Sequence, residues 1–185
     1  MRKALNALYQ ASTVLAACCL AVIASLVVLQ VLGRLLDGAR TFLGLDPLGL
    51  LVPSLAEIAG FLLVGASFLA LAGTFRNGDH IRVSMLLQSA PPVLARLLNI
   101  WAVAAALGLA SFFSWNAGWL AFDSYVYNEV SFGIIPIPLV YPQTVMTLGL
   151  VVFTVALLDD LILLLTGHAP SFETVEKSDP IEGME

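Results

Sequence analysis

The sequence predicts an all-α membrane protein of four transmembrane helices joined by short interfacial segments. Three observations carry that prediction. Of its 185 residues, 59% are hydrophobic and only 11% charged, about half the charge with which a soluble domain meets water. Four stretches carry no charge at all: Ala4 to Gly33, Ile58 to Phe75, Leu97 to Phe122 and Val130 to Leu158, of 30, 18, 26 and 29 residues. At about 1.5 Å per residue a helix needs about 20 residues to cross a hydrocarbon core of about 30 Å. Each stretch therefore holds one crossing and none holds two. Backbone groups in lipid must be satisfied internally, which leaves helices as the open arrangement. Third, a cytoplasmic N-terminus would place Arg2, Lys3, Arg76, Arg82, Arg96 and Lys177 on the inner side and only Arg34 and Arg40 on the outer. Positive residues favour the inside, so both termini are expected to be cytoplasmic. A soluble globule and a disordered chain are disfavoured. So is a nucleic-acid binder, because the net charge is −5 and phosphate recognition needs clustered Lys and Arg.

The first span is expected over about 11–33, since Asn6, Tyr9 and Gln10 suit the interface better than the core. Arg2-Lys3 and Leu15-Ala16-Ala17-Cys18 resemble a leader with a lipidation site. Polar Asn6, Gln10, Ser12 and Thr13 interrupt it, and the apolar run continues well past Cys18, as in an uncleaved anchor. Adjacent Cys18 and Cys19 diverge by about 100° on a helix and cannot bridge. The second span, about 54–75, opens with Pro53-Ser54-Leu55-Ala56-Glu57, a capping-box spacing in which Ser54 and Glu57 satisfy free amides reciprocally. The third, about 93–122, starts beside Pro92, at home in a first helical turn. Its Trp101 and Trp119 stand about 27 Å apart along the axis, one indole for each interfacial belt. The fourth, about 142–165, begins at Pro142 after Pro136 and Pro138 have kept the chain extended.

Two connections are apolar enough to lie along the membrane surface: Thr41 to Val52, turning at Asp46-Pro47, at the outer face, and Ile81 to Leu87 at the inner face. Residues 1–170 then form one transmembrane domain. Residues 171–185, with five acids against one lysine, form an acidic tail expected to be disordered.

Catalysis needs a nucleophile with its base, or a metal cluster, in a shared site. His80 lies in the inner loop and His168 just beyond the fourth span. The adjacent cysteines make no CxxC pair, and no phosphate loop of the GxxxxGK[ST] kind is present. No enzyme activity and no cofactor or metal is expected. A carrier usually shows an ionisable group within a span. Glu57 is the best candidate, yet it sits about one turn inside the outer interface, where the helix dipole alone favours a carboxylate. Asp159 and Asp160 fall about 26 Å beyond Pro142, at the inner interface. Acids there oppose the dipole and call either for a basic partner (Arg76, Arg82, Arg96 or another subunit) or for headgroup solvation. Small residues recur at four-spacing: Ala102, Ala106, Ala110, Ser114 and Gly118 on the third span; Ala17, Ala21, Ser25 and Gly33 on the first. Such stripes let helix backbones approach closely. With no internal repeat of the kind self-sufficient carriers show, the sequence reads as a compact packing scaffold, an accessory subunit.

Two motifs sharpen that reading. Gly78-Asp79-His80-Ile81-Arg82-Val83, after the second span, resembles the GxHIxV signature of DctQ-type proteins. These are the small membrane subunits of tripartite ATP-independent periplasmic (TRAP) transporters. Glu129-Val130-Ser131, then Ile137-Pro138-Leu139 and Pro142-Gln143, are similar to that family's acidic-Ser and IPL…PQ stretch before the last helix. The resemblance spans about Ala11 to Leu165. Two features depart from it: a long, apolar first outer connection, and Tyr141 where Trp is more usual.

The resemblance implies a multi-pass protein of the bacterial inner membrane, with three kinds of partner. A large DctM-type permease subunit would hold the solute and sodium sites and move its transport domain like an elevator. A periplasmic DctP-type binding protein would deliver an organic acid or similar small solute. Membrane lipids would surround the small subunit, which braces the static scaffold. Carried over, Gly78, His80, Ile81 and Arg82 would meet headgroups or the large subunit at the inner face, although a turn-capping histidine is an equal reading of His80. Asp123, Glu129, Ser131, Pro142 and Gln143 would shape the outer face near the docked binding protein. The alternative is a freestanding small membrane carrier or a membrane assembly factor.

Overall fold

The computed structural model describes residues 2–76 and 91–166. It contains four helices: α1 (Arg2–Phe42), α2 (Leu55–Arg76), α3 (Pro92–Val126) and α4 (Val140–Leu165). All four are long and apolar enough to cross a membrane. α3 begins at Pro92 as expected. α4 starts two residues before Pro142, which leaves the proline in the first turn, where its missing N–H costs nothing.

α1 departs most from expectation. Its 41 residues are about 60 Å long, twice a hydrocarbon core, where about 11–33 was expected. Nothing between Arg2 and Phe42 breaks it. No proline occurs, and the residues least exposed along it are Leu5, Tyr9, Ser12, Ala16, Cys19, Ile23, Leu26, Gln30, Gly33, Asp37 and Arg40. Their steps alternate between four and three, a 3.5-residue repeat of the kind that keeps one seam against a neighbour. Tyr9 is therefore part of the core, 3% exposed. The predicted small stripe lies off this seam: Ala17, Ala21 and Ser25 are exposed and only Gly33 is buried. On α3 the four-spacing served better, with Ala110 buried, Ala106, Ser114 and Gly118 half-buried and Ala102 exposed.

α1 ends where Gly44 takes a left-handed φ of 70°. The Leu45 amide then reaches back to the Arg40 carbonyl (2.9 Å) and the Gly44 amide to Thr41 (3.1 Å), the double bond of a Schellman closure. The chain reverses there and not at Asp46-Pro47. Residues 45–52 then run back down α1 as an extended arm.

The helices lie in the order α1, α2, α4, α3, with α1 also touching α4. Among the described residues α3 packs substantially on α4 alone. An open row thus replaces the expected compact bundle. In lipid an uncovered apolar face costs nothing, so only close packing decides which faces meet. α1 and α2 run antiparallel: the Ser12 hydroxyl donates to the Leu69 carbonyl at 2.6 Å, and further along Cys19 lies beside Gly65. α2 and α4 run parallel and approach backbone to backbone. A Cβ added to Gly149 would stand 2.6 Å from the Phe68 carbonyl carbon. The core gathers Tyr9, Ala72, Phe75, Val103, Ala110, Ala156, Leu157 and Leu164, with the rings of Phe75 and Phe153 edge to face at 5.8 Å. One end of the row, the terminal end, carries Arg2, Arg76, Arg96 and Leu165. The other, the loop end, carries the connections 43–54 and 127–139.

Candidate functional site

The sequence-predicted residues fall into two groups, one at each end of the row. At the loop end, α3 closes with Asn128 at a left-handed φ of 50°, and the Glu129 amide donates to the Ser124 carbonyl at 3.0 Å. This is the long bond of the same closure that ends α1, with asparagine in place of glycine. The buried Ser124 hydroxyl donates to the Glu129 carboxylate at 2.6 Å. Asp123 contributes its carbonyl to the Tyr127 amide (2.9 Å) while its side chain stays exposed.

Beyond Glu129 the two halves of the second motif pair with each other. The Ser131 amide donates to the Ile137 carbonyl (2.9 Å) and the Leu139 amide to the Glu129 carbonyl (3.0 Å). Val130 faces Pro138 as an antiparallel bridge. That pair makes no ladder bond of its own, so a proline is tolerated there. The buried Ser131 hydroxyl accepts the Ile137 amide at 3.0 Å. Glu129, Ser131 and the Ile137-Pro138-Leu139 run are thus the two arms of one small hairpin.

The hairpin tip rests on the start of α2. The Ile135 amide donates to the Ser54 hydroxyl at 3.0 Å, and the Glu57 carboxylate packs directly on Gly133, leaving no space for a Cβ. The expected capping box does not form. Ser54 adopts a left-handed φ of 55° and starts α2 through its carbonyl, which accepts the Glu57 and Ile58 amides at 3.0 Å each. Its hydroxyl is spent on a loop 81 residues away. One Glu57 oxygen and the Gln143 side-chain oxygen are enclosed with no hydrogen-bond partner among the described residues. Gln143 also donates its amide to the Leu139 carbonyl at 3.2 Å, in the turn that holds Pro142. Glu57, Glu129 and Ser131 therefore meet at one cap, and Pro142 and Gln143 stand just behind it.

At the terminal end, Gly78, His80, Ile81 and Arg82 lie outside the described residues. Asp159 is half-buried and Asp160 is 1% exposed, and both act electrostatically on Tyr9. The Arg76 guanidinium lies 4.9 Å above the Tyr9 ring and donates to the Asn6 side chain. Such stacking gains strength as the cation loses water. Arg96 donates to the Leu164 carbonyl at 3.2 Å, which answers the negative end of the α4 dipole directly. Asn6 and Tyr9 were missed as members of this cluster. The 3.5-residue seam, followed back from Ala16 to Leu5, was the signal that could have found them.

Neither group holds a set of three or more potential metal ligands among the described residues. What the geometry does is staple helix ends. The family model for the DctQ component of tripartite ATP-independent periplasmic transporters matches residues 48–167. The chain belongs to the DctQ family. The match covers about two thirds of the chain, taking in α2, α3, α4 and the loop-end cap, and leaves α1 outside. No curated protein and no solved structure matches the chain. DctQ proteins are components of a transporter, so this chain is a membrane-transport subunit.

Proposed function

We propose that this DctQ subunit braces the static scaffold of a large DctM-type permease in the bacterial inner membrane. That permease would carry an organic acid or similar small solute with sodium, by an elevator movement, after delivery by a DctP-type binding protein. The terminal end would face the cytoplasm, with residues 1–170 as the transmembrane domain and 171–185 as an acidic tail. The observation that supports this reading best is the open row. Helices side by side, stapled at the loop end and interlocked between α2 and α4, widen a partner in the membrane plane without enclosing a path of their own. A broad fixed element resists being tilted by the domain that moves against it. The candidate residues fit the same role. Glu129 takes the Ser124 hydroxyl and Ser131 the Ile137 amide, while Ser54 beside them takes the Ile135 amide, so these polar groups are used to hold the cap together.

The test is sodium-driven uptake in proteoliposomes. The chain alone should take up nothing, and together with the large subunit and binding protein it should support uptake. Glu57→Gln in the complete system should leave uptake intact, with at most a modest loss of stability. A freestanding carrier relying on that carboxylate would instead take up solute alone and lose it with Glu57→Gln.

A further inference from the structure

The outer third of α1 and the arm folded onto it are built inside out. Most of their polar groups face each other, while the Arg34 and Asp46 side chains stay exposed. Asp37 accepts the Leu48 amide at 2.7 Å and the Gly49 amide at 3.2 Å, Gln30 accepts the Val52 amide at 2.7 Å, and Arg40 Nε donates to the Asp46 carbonyl at 2.9 Å. The partners 30, 37 and 40 share the helix seam, and Gly33, on the same seam, admits the Leu50 carbonyl where any Cβ would collide. Apolar side chains point the other way: Leu35, Phe42, Leu43, Leu45, Leu48 and Leu50 are all more than half exposed, Phe42 at 91%. A loop in water leaves its amides to solvent and shows its charges. Pairing amides inward and turning leucines outward is what backbone needs where no water competes.

Length points the same way. α2 begins at Leu55, about level with Gln30, and α1 continues twelve residues past that level to Phe42, about 18 Å. A helix so much longer than the hydrocarbon core tilts to keep its apolar surface in lipid. The charges of residues 34–52 are Arg34, Asp37, Arg40 and Asp46 and cancel, so headgroup charge gains no hold on them. The family match begins at residue 48, which leaves this spur largely outside the part the family shares.

We propose that the spur lies in the leaflet at the loop end, at the boundary between headgroups and acyl chains, as a lipid anchor of zero net charge that holds α1 tilted. The experiment uses the full chain with Cys18 and Cys19 replaced by serine, and Phe42→Cys or Leu45→Cys carrying a nitroxide. It is run in phosphatidylcholine nanodiscs, with and without phosphatidylglycerol and with and without the large subunit. Leu35→Cys, on regular helix, gives the same reading should the turn variants fail to fold. Oxygen should relax the labels several-fold more than a water-soluble nickel chelate, equally in both lipids, and the large subunit should leave the ratio unchanged. Dominance of the nickel chelate would put the spur in water. Protection from both reagents once the large subunit is added would make it a protein surface. Either outcome overturns the proposal.

Discussion

α4 and α1 are both membrane helices, and the most apolar stretch of α1 is at least as apolar as that of α4, yet they are held in opposite ways. In the most apolar window of α4, 39% of the residues are buried, against 6% for α1. α4 sits between α2 and α3, with Gly149, Leu157 and Asp160 enclosed. α1 lies at the end of the row and touches the protein along a single seam. Hydropathy therefore says where a helix lives, and small residues say what it touches. In lipid there is no gain in hiding a leucine from its surroundings, so contact goes to surfaces that can approach closely enough for dispersion and stray hydrogen bonds. α1 compensates with length and with its arm.

The sharpest way to break the contrast is to place the same bulky side chain on a glycine of each helix. Gly149→Leu would drive its Cβ against the Phe68 backbone, 2.6 Å away, which cannot rotate aside. A cost of about 3 kcal/mol or more should lower the melting midpoint in detergent by about 6–12 °C. Gly38→Leu on α1, with nothing within 4 Å, should shift it by no more than about 0.5 kcal/mol. Equal effects would mean that the two helices are packed alike.

Smaller effects sharpen the comparison at the caps. Ser131→Ala leaves the Ile137 amide without its acceptor, and an enclosed donor left unmade costs about 1–3 kcal/mol. Its signature is faster hydrogen exchange at Ile137 together with a lower midpoint. Asp37→Ala on α1 should speed exchange at Leu48 and Gly49 alone and leave the midpoint in place. A small effect on the midpoint is expected of Ser12→Ala, which removes the hydrogen bond to the Leu69 carbonyl that ties α1 to α2. At about 0.6 kcal/mol for such bonds within a membrane, the midpoint should fall by about 1–2 °C. A drop as large as that of Gly149→Leu would show α1 to be fastened as firmly as α4.

Much of the fold was legible in the sequence because lipid imposes a simple arithmetic on charge-free length. The four spans followed from it, the start of α3 followed from Pro92, and the loop-end cap was foreshadowed by Glu129, Ser131 and Pro138. What escaped was whatever depends on a distant neighbour. Ser54 and Glu57 have capping-box spacing, and no local rule reveals that Ile135 claims the hydroxyl instead. The end of α1 was misplaced because Arg34, Asp37 and Arg40 look like an exit from the membrane. Their three- and four-residue steps place the last two on the seam that grips the arm. The stripe Ala17, Ala21 and Ser25 failed because strict four-spacing drifts around a helix, whereas a seam that stays in contact advances by three and a half.

The placement of α3 at the far edge of the row bears on how the protein is made. A ribosome delivers α1 and α2 as a pair that can lock at once through Ser12 and Leu69. α3 emerges next without its partner, because α4, its only substantial neighbour among the described residues, has not yet been synthesised. It must wait among lipids until α4 arrives and slots between the earlier hairpin and itself. Assembly is completed by the last segment translated, so a chain cut short before that point would leave a drifting helix for quality-control proteases to find.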